Sequence, residues 1–410
     1  MNPLNSFMEK AIGIVPPWFV KSVEYDGVET VNVELGFDRK HRPAAPACPR
    51  CGGECSYYDM VEKTWRHTDV CDWMCIVHGV IPRVKCGSCG SVTRINAPWA
   101  SDSISKFTQK FEEKVIGLTK KMPVSDVCKE MRLDDSTVWT IIERHVDRCM
   151  DHQDLAYVDT YYVDEKCIRK GRRYLSTFLD QNHRVIYVGE DNTSETVRGF
   201  REHLESRNGC AGNIRHISMD MGAGFKKGAE EYFPDAEPTF DRFHVTEHMT
   251  EAVNDTKKRE YCDLVNYTPD ERGMMKGQKY LFLKNYDNLD DGKKGKLHDL
   301  LSIFHDLGIV YRFKETLRKL WDMSCKFDAW KFLMDWIESA RRTGIPELIK
   351  VTNLLENHSK GILNWYDSHI SNGVMEGFNS VLHAFKGRAR GYRSFERYRT
   401  MIYLRCSGLC

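Results

Sequence analysis

Two Cys-x-x-Cys pairs constrain this chain more than any other feature. They are Cys48-Pro49-Arg50-Cys51 and Cys86-Gly87-Ser88-Cys89, each followed by glycine (Gly52-Gly53 and Gly90). Each pair makes a tight turn carrying two thiols. Two such turns supply the four soft ligands of a tetrahedral zinc, at about 2.3 Å from the metal. Cys48, Cys51, Cys86 and Cys89 are therefore the expected zinc ligands, and residues 46–100 the expected zinc ribbon. Trp65 to Asp69 and Cys75 to Val84 read as its hairpin strands. The competing reading is four unrelated core cysteines. Cys55, Cys71, Cys75 and His78 lie inside the same stretch and leave the ligand set open.

At 410 residues the chain has room for two or three domains. A formal charge of +1 carries no global signature of nucleic-acid or membrane binding, so any DNA contact must come from local basic patches. Fifteen cysteines in so long a chain do not read as a disulfide scaffold; Cys128, Cys149 and Cys167 read as small buried hydrophobes. Glu9 and Lys10 precede a short apolar stretch that Pro16-Pro17 break, which is not the pattern of a signal peptide. No apolar run approaches the roughly 18 residues of a membrane span. The expectation is a cytoplasmic protein without membrane contact.

Residues 1–45 look like a lead-in, with strand-like alternation at Thr30 to Leu35. Residues 104–150 carry three helical stripes. The first holds Phe107, Phe111, Val115 and Leu118, and Pro123 ends it; the third holds Val138, Ile141, Ile142 and Val146 behind an N-cap at Asp135 or Ser136. This is helix-turn-helix patterning. Ser136, Thr137, Thr140 and Arg144 lie off the third stripe and are the candidate groove-facing residues; a plain three-helix connector is the alternative. Residues 155–244 alternate as three strands, helix, strand, helix, strand, the order of an α/β RNase H-like domain. Residues 245–368 read as an all-helical insertion, with an exposed loop over Asn285 to Lys296. Residues 369–410 return to the core with a basic helix.

Three acids stand out by position. Asp164 ends the first strand, Asp220 ends the fourth, and Glu376 opens the last helix, in Ser371-Asn372-Gly373-Val374-Met375-Glu376-Gly377-Phe378-Asn379. Singly, such residues are usually turns or caps. Together they are the hard oxygen ligands that Mg²⁺ prefers, in the number needed for two ions about 3.5–4 Å apart on a phosphodiester. Asp241 and His244 follow the fifth strand as candidate supporting groups. Lys386, Arg388, Arg390, Arg393 and Arg397 interleave with Tyr392, Phe395 and Tyr398 and read as a phosphate-contacting tail, with a solvated charged face as the alternative.

These stretches resemble the ISL3 family of bacterial insertion-sequence transposases. The matching motifs include the ribbon, the helix-turn-helix, Val163-Asp164-Glu165-Lys166 with Gly171-Arg172-Arg173-Tyr174-Leu175, Met219-Asp220-Met221, and Phe233-Pro234-Asp235-Ala236. Asp241-Arg242-Phe243-His244-Val245 and the tail from Ser371 to Phe395 complete them. The resemblance implies a multidomain DDE transposase, its RNase H-like catalytic domain interrupted by the helical insertion. It implies Asp164, Asp220 and Glu376 as catalytic acids on Mg²⁺ or Mn²⁺, Asp241 and His244 as accessory, and structural Zn²⁺ on the four cysteines. Its partner would be double-stranded DNA, both terminal inverted repeats and target. It would act as a homodimer or higher in a synaptic complex, associated with the nucleoid. A DNA-binding regulator with a silent core and an RNase H-like repair or recombination nuclease are the competing functions.

Overall fold

The computed structural model describes residues 2–42, 44–169, 173–262, 268, 279–389, 391–392 and 394–409. The chain divides into two compact units, residues 1–148 and 149–410.

The first unit begins with helix α1 (Pro3–Ile12), capped by the Asn2 side chain on the N–H of Leu4 and stopped by Gly13 in the left-handed region. Strands β1 (Trp18–Tyr25) and β2 (Thr30–Phe37) pair antiparallel. A long hairpin follows, β3 (Cys55–Val70) and β4 (Trp73–Cys86), and β2 runs parallel to β4. The short β5 (Val92–Arg94) pairs with β4, giving a five-stranded sheet. The residues read as a lead-in are thus an integral layer of the ribbon's sheet. Met8 and Ile12 of α1 share one core with Val33, Trp65, Val77 and Trp99. Alternation at Thr30–Leu35 signalled β2, but its pairing with β4 is long-range and left no local mark.

Cys71 and Asp72, both at positive φ, make the two-residue hairpin turn between β3 and β4. Next come α2 (Gln109–Thr119), α3 (Val124–Glu130) and α4 (Asp135–Asp151). Asp134, one residue ahead of the expected caps, caps α4: its carboxylate accepts from the Thr137 N–H at 2.8 Å and from the Thr137 hydroxyl at 2.6 Å.

The second unit is built on five strands: β6 (Thr160–Arg169), β7 (Arg173–Asp180), β8 (Val185–Glu190), β9 (His216–Met219) and β10 (Glu237–Phe240). Their order across the sheet is β10-β9-β6-β7-β8, and only β7 runs against the others. Helices α5 (Ser194–Glu205) and α6 (Ala223–Tyr232) connect β8 to β9 and β9 to β10.

Helix α7 (Arg242–Cys262) leaves β10 and opens the helical segment. The expected exposed loop at Asn285–Lys296 is exposed along most of its length, but its second half is the start of α9 (Asp291–Ile303), which follows α8 (Lys279–Leu283). Asp290 caps α9, and Leu297 and Leu300 bury against the core, which outweighs its two glycines. Helices α10 (His305–Leu317), α11 (Lys326–Arg342), α12 (Pro346–Leu363) and α13 (Trp365–Ser368) complete the segment. One hydrophobic cluster runs from Leu155 through the sheet to Leu363, so these helices share the core of the sheet.

The docking is tight. A Cβ on Gly361 would lie 2.4 Å from the Phe240 ring, and the Asn364 amide donates to the Pro238 carbonyl at 2.9 Å. Contact with β10 brings the chain back to the sheet just before α14 (Gly373–Arg388) and α15 (Phe395–Cys406). Of the cysteines read as buried, Cys167 is exposed and Cys128 and Cys149 are half-buried. Among the described residues no helix is long and apolar enough to cross a membrane.

Candidate functional site

Among the described residues, Cys48, Cys51, Cys86 and Cys89 are the one group of three or more possible ligands whose ligand atoms all lie within 4.8 Å of one another. Cys48 Sγ is 3.7 Å from Cys89 Sγ, and Cys51 Sγ is 3.5 Å from Cys86 Sγ. A tetrahedron with metal–sulfur bonds of about 2.3 Å has edges of about 3.8 Å, so the cluster is of zinc size. Gly52 and Gly90, both at positive φ, return their N–H groups to the Cys48 and Cys86 carbonyls at 2.9 and 3.1 Å. The knuckle N–H groups favour thiolates: those of Arg50 and Cys51 hold Cys48 below its usual range, and that of Cys89 pulls Cys86 down to about 6. Against the pull of the Gly53 N–H, Cys86 and Cys89 push Cys51 up to about 12. Four crowded thiols that cannot all ionise alone are what a divalent cation resolves.

None of the four undecided residues joins this cluster, although Cys55 is the register partner of Cys86 and its thiol lies against those of Cys86 and Cys48. Cys55 bonds weakly to the Gly53 carbonyl, Cys71 sits in the hairpin turn, and Cys75 is wholly buried in the sheet core. His78 faces the Asn32 carboxamide at 3.0 Å.

On α4, Ser136 and Thr140 are exposed and Thr137 is half-buried. Arg144 is a correction to the groove-facing set. Its guanidinium bonds Glu112 and lies 3.1 Å from Asp102, and Glu112 is 4% exposed. A buried carboxylate demands a cation, and Arg144 is consumed in answering it. In the tail, Arg388 is exposed, Lys386 and Arg397 are half-buried, and Arg390 and Arg393 lie outside the described residues. The Lys386 ammonium sits 6.0 Å over the Tyr398 ring.

The acids gather at one edge of the second sheet. Tyr162 is the register partner of Ser218, and Met219 that of Phe240. Counting on from these pairs sets Asp164 beside Asp220 and Asp220 beside Asp241. Asp220 and Asp241 directly follow β9 and β10, but Asp164, read as ending its strand, lies within β6, which runs on to Arg169 paired with β7. Parallel strands lie about 4.8 Å apart. Neighbouring residues of β6 point to opposite faces. Asp164 meets α14, where the Asn379 carboxamide donates to its Oδ2 at 2.7 Å. Glu165 meets the start of α5, where the Asn192 carboxamide lies 3.4 Å from its Oε1. Lys166 donates to the Asn379 carbonyl at 2.5 Å, tying β6 to the same helical turn. Asn372, 1% exposed, accepts from the Ser218 hydroxyl at 3.2 Å and anchors the start of α14 over β9.

Burial dominates the electrostatics. It raises Asp164 to about 6, with the nearby Asp220 adding to the rise and His244 opposing it. It raises Glu165 to about 7, again with Asp220 contributing, and it raises Asp241. Among the described residues no lysine or arginine pairs with Asp164, Glu165, Asp220 or Asp241, and buried Glu165 Oε2 has no hydrogen-bond partner. An uncompensated set of carboxylate oxygens of this kind suits a hard divalent cation. Glu376 lies one helical turn before Asn379, is exposed, and with Asp241 lines a cleft of about 1080 Å³. Asp164, Asp220 and Glu376 are more widely spaced than ligands of a single shared ion.

Sequence reasoning passed over Glu165, Asn379 and Asn372 as site residues. Their adjacency to Asp164 and Glu376 was visible. Their role depends on partners more than 150 residues away, apart from the Glu165–Asn192 contact.

Residues 162–402 match the ISL3 DDE family model described as Transposase, and residues 104–146 match the Helix-turn-helix domain of transposase family ISL3. The chain is similar to the Transposase for insertion sequence element IS1001 of Bordetella parapertussis, 25% identical over 353 residues, 86% of each chain. It is also similar to the Transposase for insertion sequence element IS1557 of Mycobacterium tuberculosis strain H37Rv, 26% identical over 392 residues, covering 88% of this chain and 86% of the relative.

Proposed function

The chain belongs to the ISL3 family of insertion-sequence transposases, enzymes that cut and join DNA, and from that membership we propose how its residues do so. The observation that carries the proposal is the set of half-buried carboxylates where β6 meets the end of β9, without an ion pair to any described lysine or arginine and braced from α14 by Asn379. We read the second unit as an RNase H-like core. The strand order, with only the second strand reversed, supports this reading.

In this mechanism Asp164, Asp220 and Glu376 would hold the divalent ions, with Asp241 and His244 accessory. Bound Mg²⁺ or Mn²⁺ would supply charge stabilisation to the attacking and leaving oxygens of an in-line phosphodiester displacement. The Asn379 carboxamide and the Glu165 N–H fix the Asp164 carboxylate, so a ligand oxygen is oriented before DNA arrives. Buried Asp241 accepts from the Phe243 N–H at 3.2 Å and keeps the strand edge negative. Water attacks the phosphodiester at the element end and breaks its P–O3′ bond, leaving a 3′-hydroxyl on the element and a 5′-phosphate on the flank. That hydroxyl then attacks a target phosphodiester, forming a new P–O3′ bond and releasing the target strand's own 3′-hydroxyl.

The four cysteines would hold a structural zinc, and the ribbon and the exposed start of α4 would select terminal inverted repeats in the bacterial cytoplasm. Pairing two ends asks for a dimer or higher. The test is incubation of the full chain with an inverted-repeat duplex, a target plasmid and Mg²⁺. Joined product that depends on the repeat sequence is expected. Cutting without joining would favour a repair nuclease, and binding without either a regulator.

A further inference from the structure

The cleft beside Glu376 is walled on its far side by the helical segment, and its lining is unlike that of a small-molecule pocket. Its volume of about 1080 Å³ exceeds the roughly 300–1,000 Å³ of such sites. Two of its aromatic side chains are about half exposed: Phe243 at 50% and Tyr286 at 46%, the latter with the Lys294 ammonium 5.4 Å over one ring face. Three of its cations, Arg242, Arg312 and Lys319, are exposed and form no ion pair with any described carboxylate, whereas neighbouring Arg318 is held by Glu315 at 2.8 Å and Asp287 at 3.5 Å. The aromatics and the cations sit on different elements: Phe243 and Arg242 open α7, Tyr286 precedes α9, and Arg312 and Lys319 lie on α10 and the turn after it.

We propose that this cleft binds an unpaired stretch of DNA strand next to the scissile phosphate, its bases stacking on Phe243 and Tyr286 and its phosphates meeting Arg242, Arg312 and Lys319. Every base presents a π-face, so stacking asks for no particular sequence. Loose cations along a groove are the matching half of single-strand recognition. Glu376 and Asp241 in the same lining would put the unpaired tract at the cutting site. Of the acids in the lining, Glu315 is answered by Lys314 at 3.1 Å and Asp287 by Arg318, Asp241 and Glu376 face the divalent-ion site, and Asp322 stands at the rim without an ion pair to a described lysine or arginine. Paired duplex cannot offer base faces to Phe243, so the cleft selects a melted or frayed end. The proposal rests on the cutting-and-joining reading and adds a role for the helical segment.

The test uses the full chain carrying Asp164→Asn, which binds without cutting. The probes are an inverted-repeat duplex with an unpaired flank bearing 2-aminopurine, the same duplex fully paired, and an unrelated duplex with the same unpaired flank. Quenching of 2-aminopurine in both unpaired probes and not in the paired one is expected; quenching confined to the inverted-repeat probe would assign the cleft to the element end rather than to target. Adding Phe243→Ala should abolish quenching and weaken unpaired binding about tenfold. Adding Arg312→Ala with Lys319→Ala should reduce the salt slope of binding by about 1.4, the share of two single-strand phosphates. Unchanged quenching and unchanged slope in folded variants that still bind the paired probe would overturn the cleft. The acid assignment fails separately, if Asp164→Asn still cuts.

Discussion

Asp164→Asn should stabilise the metal-free second unit at neutral pH while removing its activity. Burial lifts Asp164 from 3.8 to about 6. A shift of that size corresponds to about 3 kcal/mol of strain in the ionised native state. A raised carboxylate pKa means that the folded chain binds its proton more tightly than the unfolded one. The stability so gained is full below pH 4 and is lost as pH rises through about 6. At pH 7.5 the native carboxylate is ionised and the strain is fully felt. The amide removes it, but offers one oxygen where the carboxylate accepts from both the Glu165 N–H and Asn379. An unsatisfied donor costs about 1–3 kcal/mol, leaving a net gain of about 1 kcal/mol at pH 7.5. At pH 5 the native group is mostly protonated but the unfolded one is not, so about half of the penalty remains and roughly offsets the lost hydrogen bond. In urea unfolding of the zinc-loaded protein without added Mg²⁺, read by hydrogen exchange at the amides of β6, the variant's advantage at pH 7.5 should therefore shrink by about 1–1.5 kcal/mol at pH 5. Millimolar Mg²⁺ should stabilise the wild type at pH 7.5 and leave the variant nearly unmoved. A variant equally destabilised at both pH values would refute the argument that this carboxylate is strained.

Cys48→Ser should lower zinc content per chain and loosen the β3–β4 hairpin, whereas Cys55→Ser should keep full zinc, since Cys55 lies beside Cys48 and Cys86 but is not one of the four mutually close thiols; metal analysis by mass spectrometry separates them. Arg144→Ala leaves buried Glu112 with the Ser101 and Ser105 hydroxyls and, as its remaining cation, the more distant Arg148, and should cost the first unit about 3 kcal/mol in denaturant unfolding. Lys at that position should recover part of the loss, because the role is internal and not a base contact. Asn379→Ala removes a donor from the Asp164 carboxylate, so the acid limb of single-turnover cleavage against pH should move up by about one unit, with folding intact by circular dichroism.

Local chemistry was legible in the sequence, and long-range chemistry only in part. The cysteine knuckles could be read because spacing and glycines encode their geometry within a few residues. The order of strands β6 to β10 could be read because each carries its own alternation and turn. Asp220 could be placed at a strand end for the same reason, whereas Asp164 lies within β6, whose continuation to Arg169 depends on pairing with β7. What joins β2 to β4 is a register between strands some 40 residues apart, with nothing local to announce it. Arg144 read as groove-facing because its helical position is polar; only the fold reveals Glu112 beneath it. The Asp290 cap and buried Leu297 turned an apparent loop into helix, since burial outweighed two glycines. Glu376 reaches its position through packing of α12 on Phe240, which no motif records.

Single-turnover cleavage of an inverted-repeat duplex with Mg²⁺, in Asp164→Asn, Asp220→Asn and Glu376→Gln, tests most directly whether these three acids act together on DNA. Rate losses of at least about 10³ in every variant, with DNA affinity unchanged, are the predicted result. A variant cutting within tenfold of the wild type would remove its residue from the metal site and contradict the account.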